Sequence, residues 1–330
     1  MPADHTPMVL GVDVGGTKVA VAALEGGRIG AQLEHPTDLS SSESLLDGIE
    51  AAFEEIVEVA GRPAAVGAGI PSQIDFASGR VLSSVNIPLE GVPLREELAG
   101  RLGVPVVVDN DANCAALAEA HELPGSNIVM LTLGTGVGGG VVVGDRIFRG
   151  SSGLGAELGH LVIDENGPPC PGSCPNRGCL EAFCSGTALE RDAAQLAEDR
   201  PDTALGQVLL ERGKVRGRDV VGAAEEGDPH ALDLFDRLGR QLGVGIASLV
   251  NIFEPEHVVV GGGLGSAAGH FLERARREAA IRALPALWER AGVSRAAKGV
   301  DAGVIGAGLL ALQEFDPTRD TPAPTRGEAR

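Results

Sequence analysis

Cys170, Cys174 and Cys179 fall within one turn-rich loop that begins just after His160 and is interleaved with Gly and Pro. Tetrahedral structural zinc takes four soft or borderline donors, and cysteines at such short spacings let a single loop fold back to supply them. Glu157 stands three residues before His160 and Glu181 two after Cys179, so a metal held here would clamp two carboxylates beside it. The bland alternative is a set of reduced, unmetallated thiols. Cys114 and Cys184 read as packed thiols, and the clustering of the other three fits metal binding in a reducing compartment better than a disulfide framework.

Three glycine-rich turns follow apolar runs: Asp13-Val-Gly15-Gly16-Thr17-Lys18, Gly134-Thr135-Gly136 with the glycines after it, and Gly261-Gly262-Gly263-Leu264-Gly265. Glycine lets a backbone approach an anion and aim several N–H groups at it, so each could cradle phosphate. A chain with 48 glycines also places them in ordinary hairpins. None of the three is a Walker loop, and the Gly134 turn leads back into a strand, whereas a dinucleotide fingerprint opens a helix. Asp111 directly precedes a helical pattern over 112–121, where aspartate is a favoured N-cap.

Those residues need a frame to hold them, and the hydrophobic patterning predicts one. Strands are expected over 8–14, from Val19 to Leu24, and over 65–70, 104–109, 128–133, 141–143 and 257–260. Helices are expected over 42–60, with Leu45, Ile49, Phe53, Ile56 and Val57 on one face, and over 93–102, 188–196, 230–253, 267–282 and 305–312. The first and second glycine turns each join two strands, which suggests two related halves. The segment 316–330 reads as a frayed tail.

At 330 residues the chain suggests two domains, and 43% hydrophobic residues suffice for proper cores. Its 27 basic against 46 acidic residues give a net charge of −19, a surface that repels nucleic acid phosphates and anionic membranes. No nucleic acid or membrane partner is expected. Without a basic run leading into an apolar stretch, a signal peptide is not expected either, and the reading is a cytoplasmic protein.

Asp13 to Lys18, Asn110-Asp111-Ala-Asn113, Leu133 to Gly140, Gly155-Ala-Glu157-Leu-Gly-His160 and the cysteine loop ending in Gly178-Cys179-Leu180-Glu181 together resemble the ROK family of sugar kinases and repressors. The resemblance runs from Val9 to about Gly308 and is greatest to its bacterial ATP-dependent glucokinases. It implies an α/β, actin-like ATPase (ribonuclease H-like) fold of two α/β domains flanking a deep cleft. The smaller domain would take 1–110 plus about 305–315, and the larger 111–304 with the zinc loop at 160–181. By resemblance Asp111 is the general base, Asn110 holds the sugar, and Glu157, His160 and Glu181 bind its hydroxyls, with Asn86 and Gly69 lining the pocket. Gly15, Gly16, Thr17, Lys18, Gly134, Thr135 and Gly136 would meet ATP phosphates, and Gly262, Gly263 and Leu264 its adenosine. Asp13 would orient Mg²⁺ through water. His160 would bind Zn²⁺ through one ring nitrogen, together with Cys170, Cys174 and Cys179, and face the sugar with the other. The usual family loop is Cys-x-Cys, so the longer Cys170–Cys174 spacing departs from it.

The activity implied is transfer of the ATP γ-phosphate to the 6-hydroxyl of glucose. Another hexose or N-acetylhexosamine, or polyphosphate as donor, fits the same motifs. A homodimer or homotetramer is implied as well. A sugar-responsive repressor would carry a helix-turn-helix before the first strand, and only seven residues precede Met8.

Overall fold

The protein is described by a computed structural model, covering residues 7–123, 126–172 and 174–315. The expected tail, 316–330, lies outside the described residues. Two compact units share the chain, the first holding Met1–Pro124, Gly140–Ala156 and Val300–Arg330 and the second Gly125–Gly139 and Glu157–Gly299.

In the first unit β1 (Val9–Val14), β2 (Lys18–Glu25) and β3 (Arg28–Pro36) form an antiparallel meander. There follow α1 (Ser42–Ala60), β4 (Val66–Ile70), a small hairpin of β5 (Gln73–Asp75) and β6 (Arg80–Ser83), α2 (Leu94–Leu102), β7 (Val106–Asn110) and α3 (Asp111–His121). The strand order is β3-β2-β1-β4-β7, with β1, β4 and β7 parallel. All five residues of β4 are buried, the near-continuous apolar run of a central strand covered on both faces. β3, by contrast, alternates half-buried and exposed residues, as suits an edge. Ser41 caps α1 by accepting from Ser44 N, and Leu45, Ile49, Ala52, Phe53 and Ile56 bury one face of that helix in the core.

The chain enters the second unit with β8 (Ile128–Leu133) and β9 (Val137–Val143), and the last residues of β9 lie in the first unit, pairing with β10 (Arg146–Ile147). In the second unit come α4 (Glu181–Cys184), α5 (Gly186–Asp199), α6 (Ala204–Arg212), α7 (Gly217–Glu225), α8 (Pro229–Phe253), β11 (His257–Gly261), α9 (Ala268–Ala280), α10 (Pro285–Trp288) and β12 (Gly292–Arg295). β8, β11 and β12 run parallel in that order. Asp228 caps α8, Pro229 opens it, and it stops at Glu254 in a left-handed conformation just before Pro255.

α11 (Ala302–Glu314) returns to the first unit. A Cβ on Gly67 of β4 would overlap the Ala307 carbonyl oxygen, so this helix lies directly on the sheet backbone. α3 packs along α11. That contact places residues 111–123 with the first unit, along with 140–156, where the sequence reading began the larger domain at 111. Among the described residues no helix is long and apolar enough to cross a membrane.

Candidate active site

In the first unit, register across the parallel strands sets Asp13, Gly69 and Asp109 side by side at the carboxyl ends of β1, β4 and β7. Such strand ends are where open α/β sheets hold ligands. Asn110 ends β7 and caps α3, its Oδ1 accepting from Ala112 N at 2.9 Å and Asn113 N at 3.3 Å. Asp111 is the first helical residue. Capping therefore falls to Asn110 and does not account for Asp111, although its Oδ1 also accepts from Ala112 N at 2.8 Å.

Asp13 stands within electrostatic range of Asp111. Burial first, and then the Asp111 charge, raise its carboxyl to about 7, while Lys18 opposes them. A cation bound beside Asp13 would ease its ionisation. Gly69 is buried, and a Cβ there would stand 3.2 Å from Cys114 Sγ and 3.6 Å from Asp111 Cα, so its absence lets the first turn of α3 settle on β4. Asn86 sits exposed in the loop after β6, and next to it Ser84 joins Ser72, whose carbonyl oxygen accepts from Asn110 Nδ2 at 3.3 Å.

The first glycine turn is exposed at Gly16, Thr17 and Lys18. Gly15 N donates to Lys18 O at 2.8 Å, and Thr37 Oγ1 donates to Gly15 O at 2.8 Å. Lys18 pairs with Glu34 of β3, so its ammonium is engaged on the sheet.

The second unit brings the other two glycine turns together. β8 and β11 are neighbours with Thr132 opposite Gly261, and a Cβ on Gly262 (φ 82°) would stand 2.6 Å from both Leu133 N and Leu133 O. Gly262 and Gly263 are exposed, whereas Leu264 is buried and fixes the turn from beneath. Gly134, Thr135 and Gly136 form the β8–β9 turn, with Gly134 N donating to Gly136 O at 2.9 Å.

The same unit assembles the predicted metal ligands. The ligand atoms of His160, Cys170, Cys174 and Cys179 all lie within 4.8 Å of one another. Cys170 Sγ is 3.6 Å from His160 Nδ1 and Cys174 Sγ 3.4 Å from Cys179 Sγ. Donors at ~2.3 Å from a tetrahedral zinc lie roughly 3.7 Å apart, so the set fits that ion. The long Cys170–Cys174 spacing is accommodated because Cys170 N donates to Asn176 O at 3.0 Å and Pro169 bridges Arg177. Burial, Cys174 and Glu181 push the Cys170 thiol up, a penalty that a bound cation would reverse. Cys184 and Cys114 are buried, as expected of packed thiols.

Glu157 is exposed, ahead of the short 3-10 turn Leu158–His160, and Ala156 before it holds φ 66°, an uncommon conformation for a residue with a Cβ. Glu181 is buried at the start of α4 and accepts from Val137 N at 2.9 Å.

One residue outside the sequence expectations supports this site. Arg149 Nε donates to Asp109 Oδ2 at 2.6 Å, its guanidinium stacks 3.6 Å from the centroid of the Phe76 ring, and Nη2 lies 3.5 Å from Glu314. Asp109 is 3% exposed and its Oδ1 accepts from Asn110 N at 2.7 Å and Asn113 Nδ2 at 2.9 Å. Arg149 thus fixes the carboxylate that orders the β7–α3 junction. Forty residues separate the pair, and no local pattern announces it.

A profile of the ROK family matches residues 9–314. A glucokinase of Halalkalibacterium halodurans is 35% identical over 315 residues, 92% of this chain and 95% of that protein. An N-acetyl-D-glucosamine kinase of Aliivibrio fischeri is 33% identical, over 93% of this chain and all of that protein. The crystal structure of a ROK family glucokinase from Streptomyces griseus in complex with glucose and AMPPNP superposes with a TM-score of 0.79 at 35% identity, covering 93% of this chain and 99% of that one.

Proposed function

The chain belongs to the ROK family and has its actin-like ATPase fold, and from that premise we propose that it is a glucokinase, transferring the γ-phosphoryl group of ATP to the 6-hydroxyl of glucose. The observation that carries the reading is Asp111, at the carboxyl end of the parallel strands, in a helix whose cap is supplied by its neighbour Asn110.

Asp111 accepts the proton of the attacking hydroxyl as the bond to phosphorus forms, a role worth about 10²–10⁴ in rate. Asn110, Glu157, His160 and Glu181 bind sugar hydroxyls, the carboxylates through charge-assisted hydrogen bonds. Asn86 stands as a further candidate sugar contact, whereas Gly69 serves by letting α3 settle beneath Asp111. Gly15 N and Gly134 N are taken up within their own turns, so the backbone N–H groups of Gly16, Thr17, Thr135 and Gly136 are the ones to receive phosphate oxygens, and alignment there supplies most of the acceleration. Gly262 and Gly263 take the nucleoside end, over the buried Leu264. Mg²⁺ accompanying ATP would neutralise charge on the transferred group, with Asp13 the residue to orient it. Zn²⁺ held by His160, Cys170, Cys174 and Cys179 would fix the imidazole through Nδ1, leaving Nε2 for the sugar.

Similarity to an N-acetyl-D-glucosamine kinase, almost as great as to the glucokinase, gives a second reading in which the 2-substituent differs. Product formation from ATP·Mg²⁺ across glucose, N-acetylglucosamine, N-acetylmannosamine, mannose and fructose separates them. A kcat/KM for glucose at least about tenfold above the others supports the proposal, a preference for an N-acetylhexosamine replaces glucose, and no transfer to any sugar ends the kinase reading.

A further inference from the structure

Glu181 sits between two parts of the second unit that are expected to bind different things. Its Oε2 accepts from Val137 N at 2.9 Å, and a Cβ on Gly136 would collide with that same oxygen. Its Oε1 is 3.4 Å from Cys170 Sγ, and a Cβ on Gly172 would stand 2.6 Å from it. The carboxylate is therefore packed between the Gly134–Gly136 turn and the metal loop, and only 8% of the residue is exposed.

The residues after Glu181 grip the same turn. Gly186 N donates to Gly134 O at 2.7 Å and Thr187 Oγ1 to Thr135 O at 2.8 Å. The turn is thus held at three backbone points by the stretch 181–187, which begins two residues after the metal ligand Cys179. Cys179 is in turn fixed by its bridge to Val162, and Leu180 N donates to Leu161 O at 2.8 Å, next to His160.

We propose that Glu181 is the positioning residue that ties the metal loop to the Gly134–Gly136 turn, so that metal occupancy sets the order of this turn and, through it, the affinity for the phosphoryl donor. The inference rests on the kinase reading for the identity of that ligand, and it gives Glu181 a task that is independent of any sugar. The thiol of Cys170 donates to Glu181 Oε1 only while it keeps its proton, so the metal would act on Glu181 through Cys179, two residues before it, and through the Gly172 wall of its pocket; without the metal both would be freer to move, and the hydrogen bond to Val137 N would weaken with them.

Hydrogen exchange over Gly134–Gly138 in the absence of hexose tests the tie directly, on wild type, Glu181→Ala, Glu181→Gln and chelator-stripped wild type. AMPPNP·Mg²⁺ affinity is measured alongside by calorimetry. The Ala variant and the stripped protein should exchange about tenfold faster at Val137 and bind AMPPNP about tenfold more weakly, the loss expected of a buried charge-assisted hydrogen bond. The Gln variant keeps an acceptor for Val137 N and should retain most of the protection, which a general loss of packing would not explain. Wild-type exchange in the Ala variant, or in the stripped protein, would overturn the proposal. Should the Ala variant fail to fold, Gly136→Ala displaces the carboxylate without removing a metal ligand and should accelerate the same amide at unchanged zinc content; unaltered exchange there overturns the tie equally. A wild type that binds no AMPPNP would sink the kinase reading, while the exchange comparison would still decide the tie.

Discussion

Replacing Asp13 by Asn should make the protein more stable and less active, with a gain in stability that grows with pH. Burial and the Asp111 charge lift the Asp13 carboxyl from 3.8 to about 7. Between those values the folded protein keeps a proton that the unfolded chain has released. This group's contribution is therefore fully present below about pH 4 and is lost as pH rises through 7. At ~1.4 kcal/mol per unit, the carboxylate costs about 2 kcal/mol at pH 5.5 and about 4 kcal/mol at pH 8. Asn carries no charge to bury, so its advantage over wild type should widen by about 2 kcal/mol between those two conditions. Urea unfolding without added Mg²⁺ measures the difference, and titration of the many other carboxylates cancels because both proteins share them. A stability difference that does not change with pH would refute the burial of the Asp13 carboxyl and, with it, the added effect of the Asp111 charge. Adding Mg²⁺·ATP should narrow the gap, since a cation removes the penalty of ionising Asp13.

Arg149→Met should destabilise by about 3–5 kcal/mol because it strands the Asp109 carboxylate, and adding Asp109→Asn should recover much of that loss in the same unfolding assay. Elemental analysis should find one zinc per chain, falling steeply in Cys174→Ser. Removal of the zinc by chelation should weaken hexose binding in calorimetry, with recovery on adding zinc back. Gly67→Ala should cost about 3 kcal/mol, since its methyl group would overlap the Ala307 carbonyl and force α11 off the sheet; an unchanged unfolding midpoint would contradict that packing.

The strands and helices most legible in the sequence are those with strong hydrophobic contrast. β1, β4, β8 and β11 are near-continuous apolar runs ended by glycine or polar turns, and α1 and α8 show an apolar face at helical spacing with a Ser or Asp at the cap. β3 escaped notice because it is an edge strand whose residues alternate only between half-buried and exposed. α6 and α7, nine residues each, and β12, with four, are too short for periodicity to stand out. The clustering of His160, Cys170, Cys174 and Cys179 was legible because all four lie within twenty residues of sequence, and the loop closes on itself through Cys170 N and Asn176 O. The cap was half legible. Asn110 and Asp111 are both good capping residues, and only the extended backbone at Asn110 decides between them. Arg149–Asp109 and Glu181–Val137 join residues about forty apart, so they arise from tertiary packing alone.

The central claim is that Asp111 removes the proton from the hexose hydroxyl, and single-turnover transfer from ATP·Mg²⁺ to glucose, in wild type and Asp111→Asn, tests it most directly. Glucose and AMPPNP affinities are measured on the same preparations to show that both sites remain formed. The expected result is a transfer rate about 10²–10⁴ lower in the variant with both affinities within a few-fold of wild type. Transfer at the wild-type rate by the variant would contradict the account.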